Sequence, residues 1–150
     1  MQQTVLVTGG TGFVATQAIL QLLQHGYRVN TTVRNLGSQN QLFETLQHAG
    51  ILEIQDNLRL IEADLLDDNN WLSAMQDCDY VLHVASPLPM GEPNTEDDVI
   101  KPAVEGTLRV LTFAKQAGIK RVVMTSNFGA VGYSHTDTRQ VITEQSWTNP

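Results

Sequence analysis

The segment Thr8-Gly9-Gly10-Thr11-Gly12-Phe13-Val14-Ala15 carries the strongest chemical signal in the chain. A pyrophosphate is held by backbone N–H donors at a helix N-terminus, where the helix dipole favours an anion and side chains would block its approach. Glycines at 9 and 12 permit a tight turn and close contact, and the small Ala15 lets the following helix pack near the preceding strand. Gly9, Thr11, Gly12, Phe13 and Val14 are therefore candidate phosphate-binding residues. Other reactive residue types offer less. His25, His48, His83 and His135 show no metal-ligand spacing, so no metal is expected. His83 closes an apolar run and reads as a packed, hydrogen-bonded core side chain. The one cysteine, Cys78, has no basic neighbour in sequence to activate its thiol, and it excludes an internal disulfide.

Backbone donors of that kind need a strand before the turn and a helix after it. Thr4-Val5-Leu6-Val7-Thr8 is a short β-branched run of the buried parallel type. Beyond the turn, Ala15, Ala18, Ile19, Leu22 and Leu23 form one apolar stripe, with Gln17, Gln21 and Gln24 opposite and Gly26 as the helix stop. A second strand over 27–33 completes a βαβ unit. The alternation continues with a weak helix over 39–49, a strand over 58–61, a short helix over 71–75 and a strand over 80–84. The stretch 95–117 is expected to be mostly helical, with Val104, Leu108 and Leu111 on one stripe and Glu96, Asp97 and Asp98 at its start. Pro102 should kink that helix or mark its start, and Gly118 ends it before a fifth strand over 121–125. The tail, 127–150, shows no clear period. Strands separated by helical crossovers predict one α/β domain over 1–150: a Rossmann-type, doubly wound parallel sheet of about five strands with helices on both faces.

In such a sheet ligands bind beyond the carboxyl ends of the strands, which brings Val84, Ala85 and Ser86 to the crevice. An acidic residue about 20 positions past the glycine turn holds the ribose 2′-hydroxyl of NAD, whereas an arginine accommodates the 2′-phosphate of NADP. Residues 1–43 contain no Asp or Glu, and Arg34 ends the second strand. NADP(H) is expected over NAD(H).

The whole chain bounds the remaining possibilities. At 150 residues it can bury a sizeable core, and 41% hydrophobic with 17% charged residues argues against disorder. A net charge of −7 is a poor footprint for nucleic-acid binding. No apolar run approaches the ~18 residues of a membrane span, and the N-terminus lacks a secretory pattern, so a cytoplasmic protein is expected.

The turn T-G-x-x-G-x-x-A resembles that of the extended short-chain dehydrogenases/reductases, within the NAD-dependent epimerase/dehydratase superfamily. Ala63-Asp64-Leu65 is similar to the family's adenine-bracketing segment, which makes Asp64 and Leu65 candidate cofactor contacts; a bare turn cap is the alternative for Asp64. His83-Val84-Ala85-Ser86-Pro87, the run Val99 to Thr107, and Val122-Val123-Met124-Thr125-Ser126 resemble the dihydroflavonol-reductase and cinnamoyl-CoA-reductase branch. The resemblance covers essentially the full 150 residues and implies carbonyl reduction by hydride transfer, on an aldehyde or ketone. It also implies a Tyr-x-x-x-Lys pair and a polarising Ser or Thr. Four residues after Tyr27, Tyr80 and Tyr133 stand Thr31, Val84 and Asp137, so the pair is absent. The polarising position falls on Ser126 or Asn127, and either would fill it.

These 150 residues are accordingly expected to be the N-terminal cofactor-binding part of a longer reductase, inactive alone. Two alternatives remain: a nucleotide-sugar epimerase or dehydratase, against which His83–Pro87 and Arg34 argue, and a non-catalytic NADP(H) sensor. The family fold adds a strand outside the fifth; without it that edge is expected to support a homo-oligomer.

Overall fold

The computed structural model describes residues 2–51, 54–87, 91–135, 139 and 141–149. Five strands, β1 (Thr4–Val7), β2 (Arg28–Val33), β3 (Leu58–Glu62), β4 (Tyr80–His83) and β5 (Arg121–Met124), form one parallel sheet in the order β3-β2-β1-β4-β5. From β1 the chain winds outward through β2 and β3, then returns to lay β4 on the other side of β1. The topological switch point therefore lies between β1 and β4, at their carboxyl ends.

Between the strands run α1 (Phe13–Gln24), a 3₁₀ turn (Leu36–Ser38), α2 (Gln39–His48), α3 (Ile54–Asn57), α4 (Trp71–Met75) and α5 (Asp97–Gln116); α6 (Gly129–Gly132) follows β5. Side chains alternate across β1, so the sheet has a core on each face. Val5 and Val7 pack with Ala15 and Ile19 of α1 and Leu42 and Leu46 of α2. Leu6 packs on the opposite face with Trp71 of α4 and Val110 and Ala114 of α5. Gly26 and Gly118 both adopt left-handed backbone, with φ of 78° and 71°, and stop α1 and α5 as glycine permits.

The apolar stripe of α5 is not its core face. Val104, Leu108 and Leu111 do share a stripe, but it points outward, 40–57% exposed, while Gly106, Val110 and Ala114 face the core. The helix runs so close to the chain after β3 that a Cβ on Gly106 would sit 3.2 Å from Leu65 Cβ. At that separation small residues fit and large aliphatics do not. Pro102 does not mark the helix start either. Asp97 begins the helix, and Asp98 accepts the N–H groups of Asn94 and Thr95 at 3.0 Å each. In the tail, residues 136–138, 140 and 150 lie outside the described residues. Among those described, no helix is long and apolar enough to cross a membrane.

Candidate functional site at the strand carboxyl ends

The glycine turn is shaped by what lies behind it. Gly9 has φ of 72°, and a Cβ there would meet Ala85 Cβ at 2.9 Å. A Cβ on Gly10 would lie 2.3 Å from Thr31 Oγ1, a buried hydroxyl that donates to Val7 O at 2.8 Å. Thr32 completes the mould: its hydroxyl accepts from Gly9 N at 3.0 Å and its carbonyl from Gly10 N at 2.8 Å. Gly12 then caps α1 with no side-chain hydrogen bond and no acid in the first turn. The N–H groups of exposed Phe13 and Val14 have no acceptor among the described residues. Such a helix end carries partial positive charge and open donors, and it can take an anion.

Across the switch point stands the end of β4. Thr8, fully buried, joins the two lips of the crevice: its Oγ1 accepts from Val84 N at 2.9 Å and from Ala85 N at 3.0 Å. His83, 2% exposed, lies behind them with Nδ1 at 2.9 Å from the same oxygen. The expectation of a packed, hydrogen-bonded histidine holds. Burial lowers its pKa, because the charged ring would lose its hydration. Ser86 follows at the exposed rim.

On the β2 side, Arg34 is exposed and makes no hydrogen bond or ion pair among the described residues. Asn35 Oδ1 accepts from Gly37 N at 2.7 Å and shapes the next turn. A carboxylate is nearby after all. Glu62 pairs in register with Val33, and its Oε2 accepts from Leu36 N at 3.2 Å. The sheet, and not the chain, puts it there, so residues 1–43 carry no sign of it.

Past β3, Asp64 and Leu65 are only partly available. Asp64 Oδ1 accepts from Leu66 N at 2.9 Å, the turn cap weighed as its alternative role, and its carbonyl accepts from Trp71 Nε1 at 3.1 Å. Leu65 is placed differently from what a side-chain contact to a cofactor would need. Its side chain is buried beneath Gly106, and its carbonyl accepts from Arg109 Nη1. Arg109 also bonds Asp68 Oδ1 at 2.5 Å, so α5 holds this loop in place.

After β5, Thr125 Oγ1 points at the carbonyls of His83 and Val84, 3.5 Å from each. Ser126 is exposed, with no hydrogen bond among the described residues. Asn127 Oδ1 accepts from Gly129 N at 2.7 Å, which leaves its amide NH₂ as the available donor. All the expected site residues thus follow strand carboxyl ends or begin α1. Thr8, Gly10, Thr31, Thr32, Glu62 and Arg109 escaped the sequence reading. Only the doubled Gly9-Gly10 and the Thr8 preceding them offered a signal.

At the opposite end of β4, burial pushes the Cys78 thiol up to about 11. Asn30 Nδ2 donates to its sulfur at 3.3 Å. Among the described residues no group of three His, Cys, Asp or Glu side chains could hold a metal.

The model of the 3-beta hydroxysteroid dehydrogenase/isomerase family matches residues 6–148. An anthocyanidin reductase ((2S)-flavan-3-ol-forming) of Vitis vinifera is 39% identical over 152 residues, spanning 99% of this chain and 43% of that protein. Vestitone reductase from alfalfa superposes with a TM-score of 0.79 at 30% identity, over 99% of this chain and 43% of its own. Gre2 of Candida albicans, solved in complex with NADPH, gives 0.79 at 29%, over 99% and 44%. The chain thus spans less than half the length of these relatives. The Vitis and alfalfa proteins are reductases, as the resemblance of His83–Pro87 and Val122–Ser126 implied.

Proposed function

Because the chain belongs to the 3-beta hydroxysteroid dehydrogenase/isomerase family, we propose that it is the NADP(H)-binding, N-terminal domain of an oxidoreductase that reduces an aldehyde or ketone. The observation that carries this reading is the crevice between β1 and β4. One lip offers the open donors of α1 behind a turn that tolerates no Cβ at Gly9 or Gly10; the other is the backbone of Val84 and Ala85, held by Thr8.

In this reading the N–H groups of Phe13 and Val14 hold the pyrophosphate, with Gly9, Thr11 and Gly12 giving it access. Arg34 takes the adenosine 2′-phosphate. The Asp64–Leu65 segment, pinned by Trp71 and Arg109, borders the adenine, with Leu65 taking part through its backbone. Val84, Ala85 and Ser86 line the nicotinamide side. The bound nicotinamide supplies the hydride. Ser126 Oγ is the better placed of the two polarising candidates, because Thr125 already serves the strand-end carbonyls and Asn127 is partly committed to Gly129. The proton-donating tyrosine and its lysine would come from polypeptide outside these 150 residues. The outer edge of β5, which among the described residues pairs with β4 alone, would take a further strand from that polypeptide or from a second copy.

Titration with NADPH and NADH tests the reading. We expect tighter binding of NADPH, no steady oxidation with aldehydes or ketones, and a selective loss in Arg34→Ala. A charge-assisted contact contributes roughly 1.5–3 kcal/mol, or about 10- to 100-fold in affinity. No binding of either cofactor would overturn it.

A further inference from the structure

We propose that His83 is a positioning residue for the cofactor crevice: its neutral ring takes the Thr8 hydroxyl proton and so commits both lone pairs of Thr8 Oγ1 to the backbone of Val84 and Ala85. The inference rests on the cofactor reading above and assigns a role to a buried titratable side chain that the binding scheme itself does not use.

The argument is one of donors and acceptors. A threonine hydroxyl has one hydrogen and two acceptor sites. Thr8 Oγ1 accepts from two backbone N–H groups, at 2.9 and 3.0 Å, which uses both lone pairs. Its single hydrogen must then point at the remaining neighbour, His83 Nδ1, at 2.9 Å. Nδ1 is therefore the unprotonated nitrogen, and Nε2 carries the hydrogen. Burial of the ring favours the same neutral form, since a charged imidazolium there would be desolvated.

Without an acceptor at Nδ1, the buried Thr8 hydroxyl hydrogen would lose its partner, and turning to any other acceptor would swing the lone pairs away from Val84 and Ala85. Either outcome is costly, because the Thr8 hydroxyl is fully buried and the two half-buried N–H groups depend on its orientation. The affected backbone is the β4 lip, where Ala85 Cβ already lies 2.9 Å from where a Gly9 side chain would begin. Loosening it shifts the wall against which the dinucleotide would lie. His83 acts through Thr8 and need not touch the cofactor.

The test combines ring spectroscopy with binding. In the wild-type protein, the two-bond ¹H–¹⁵N spectrum of the His83 ring should show an unprotonated Nδ1 at neutral pH. His83→Leu removes the acceptor and should raise the Kd for NADPH about tenfold, equivalent to ~1.4 kcal/mol. His83→Asn puts a carbonyl oxygen near the Nδ1 position and should restore most of that loss. Thr8→Val should weaken binding at least as much, and adding His83→Leu to it should cost little more, because both act on one interaction. Should His83→Leu not fold, His83→Gln, whose amide reaches past the Nδ1 position, replaces it in the comparison with Asn.

A protonated Nδ1, or a folded His83→Leu that binds NADPH as tightly as wild type, would overturn the proposal. A wild-type protein that binds no NADPH would instead remove the cofactor reading, and the role of His83 with it.

Discussion

Two glycines of the same turn should respond differently to alanine, one losing stability as well as binding, and the contrast tests the geometry of the crevice. At Gly9 the backbone is left-handed, φ 72°, which costs a residue bearing a Cβ roughly 1–2 kcal/mol. The new methyl would also start 2.9 Å from Ala85 Cβ, an atom fixed to the backbone and unable to swing aside. Overpacking of this kind costs about 1–3 kcal/mol. Gly9→Ala should therefore destabilise by about 2–5 kcal/mol, a large part of the ~5–15 kcal/mol that holds an ordinary domain together. At ~2–4 °C per kcal/mol for a chain of this size, Tm should fall by about 4–20 °C. Gly12 has φ of −77°, open to any residue, and its Cβ would meet only Gly9 O at 3.2 Å. Alanine is a poorer helix cap than glycine, but it also restricts the unfolded chain, so the net change should stay within about 1 kcal/mol. The methyl would nonetheless stand where a pyrophosphate must approach. Urea or thermal unfolding followed by circular dichroism, beside an NADPH titration, separates the outcomes. Gly9→Ala should lose stability and binding, Gly12→Ala binding alone. Equal unfolding midpoints for Gly9→Ala and wild type would refute the close approach of the two lips.

Glu62→Gln keeps an acceptor for Leu36 N and removes a negative charge near Arg34, so it should tighten NADP(H) several-fold and leave NAD(H) unchanged in paired titrations; selective loss of NAD(H) would show that Glu62 serves a ribose hydroxyl instead. Burial holds the folded-state pKa of His83 below 6.5, so the unfolded chain gains its proton first as the pH falls. The His83 contribution is complete above pH 6.5 and declines below it; urea midpoints from pH 7.5 down to 5 should fall less in His83→Asn. Cys78, with its thiol pushed up to about 11, should react slowly with a disulfide reagent at pH 8 when native and rapidly once unfolded, and fast native labelling would contradict its burial.

Local pattern determined much of this protein. The β-branched run, the glycine turn and the spacing of Ala15, Ile19 and Leu22 specify β1, the turn and α1, because each depends on residues close in the chain. The α4 bounds, Trp71–Met75, were legible for the same reason, and the strand–helix alternation led to the parallel sheet. What tertiary structure alone decided was every feature in which separate strands meet. The exposed stripe of α5 has the period expected of a core face, yet the nearness of Leu65 reserves the inner face for Gly106, Val110 and Ala114. Glu62 lies 28 residues beyond Arg34 in sequence and one strand away in space. Thr8 and His83 are 75 residues apart, and a hydroxyl proton between them has no sequence signature. Adjacency across a sheet depends on register and strand order, and these are settled by packing the whole chain at once.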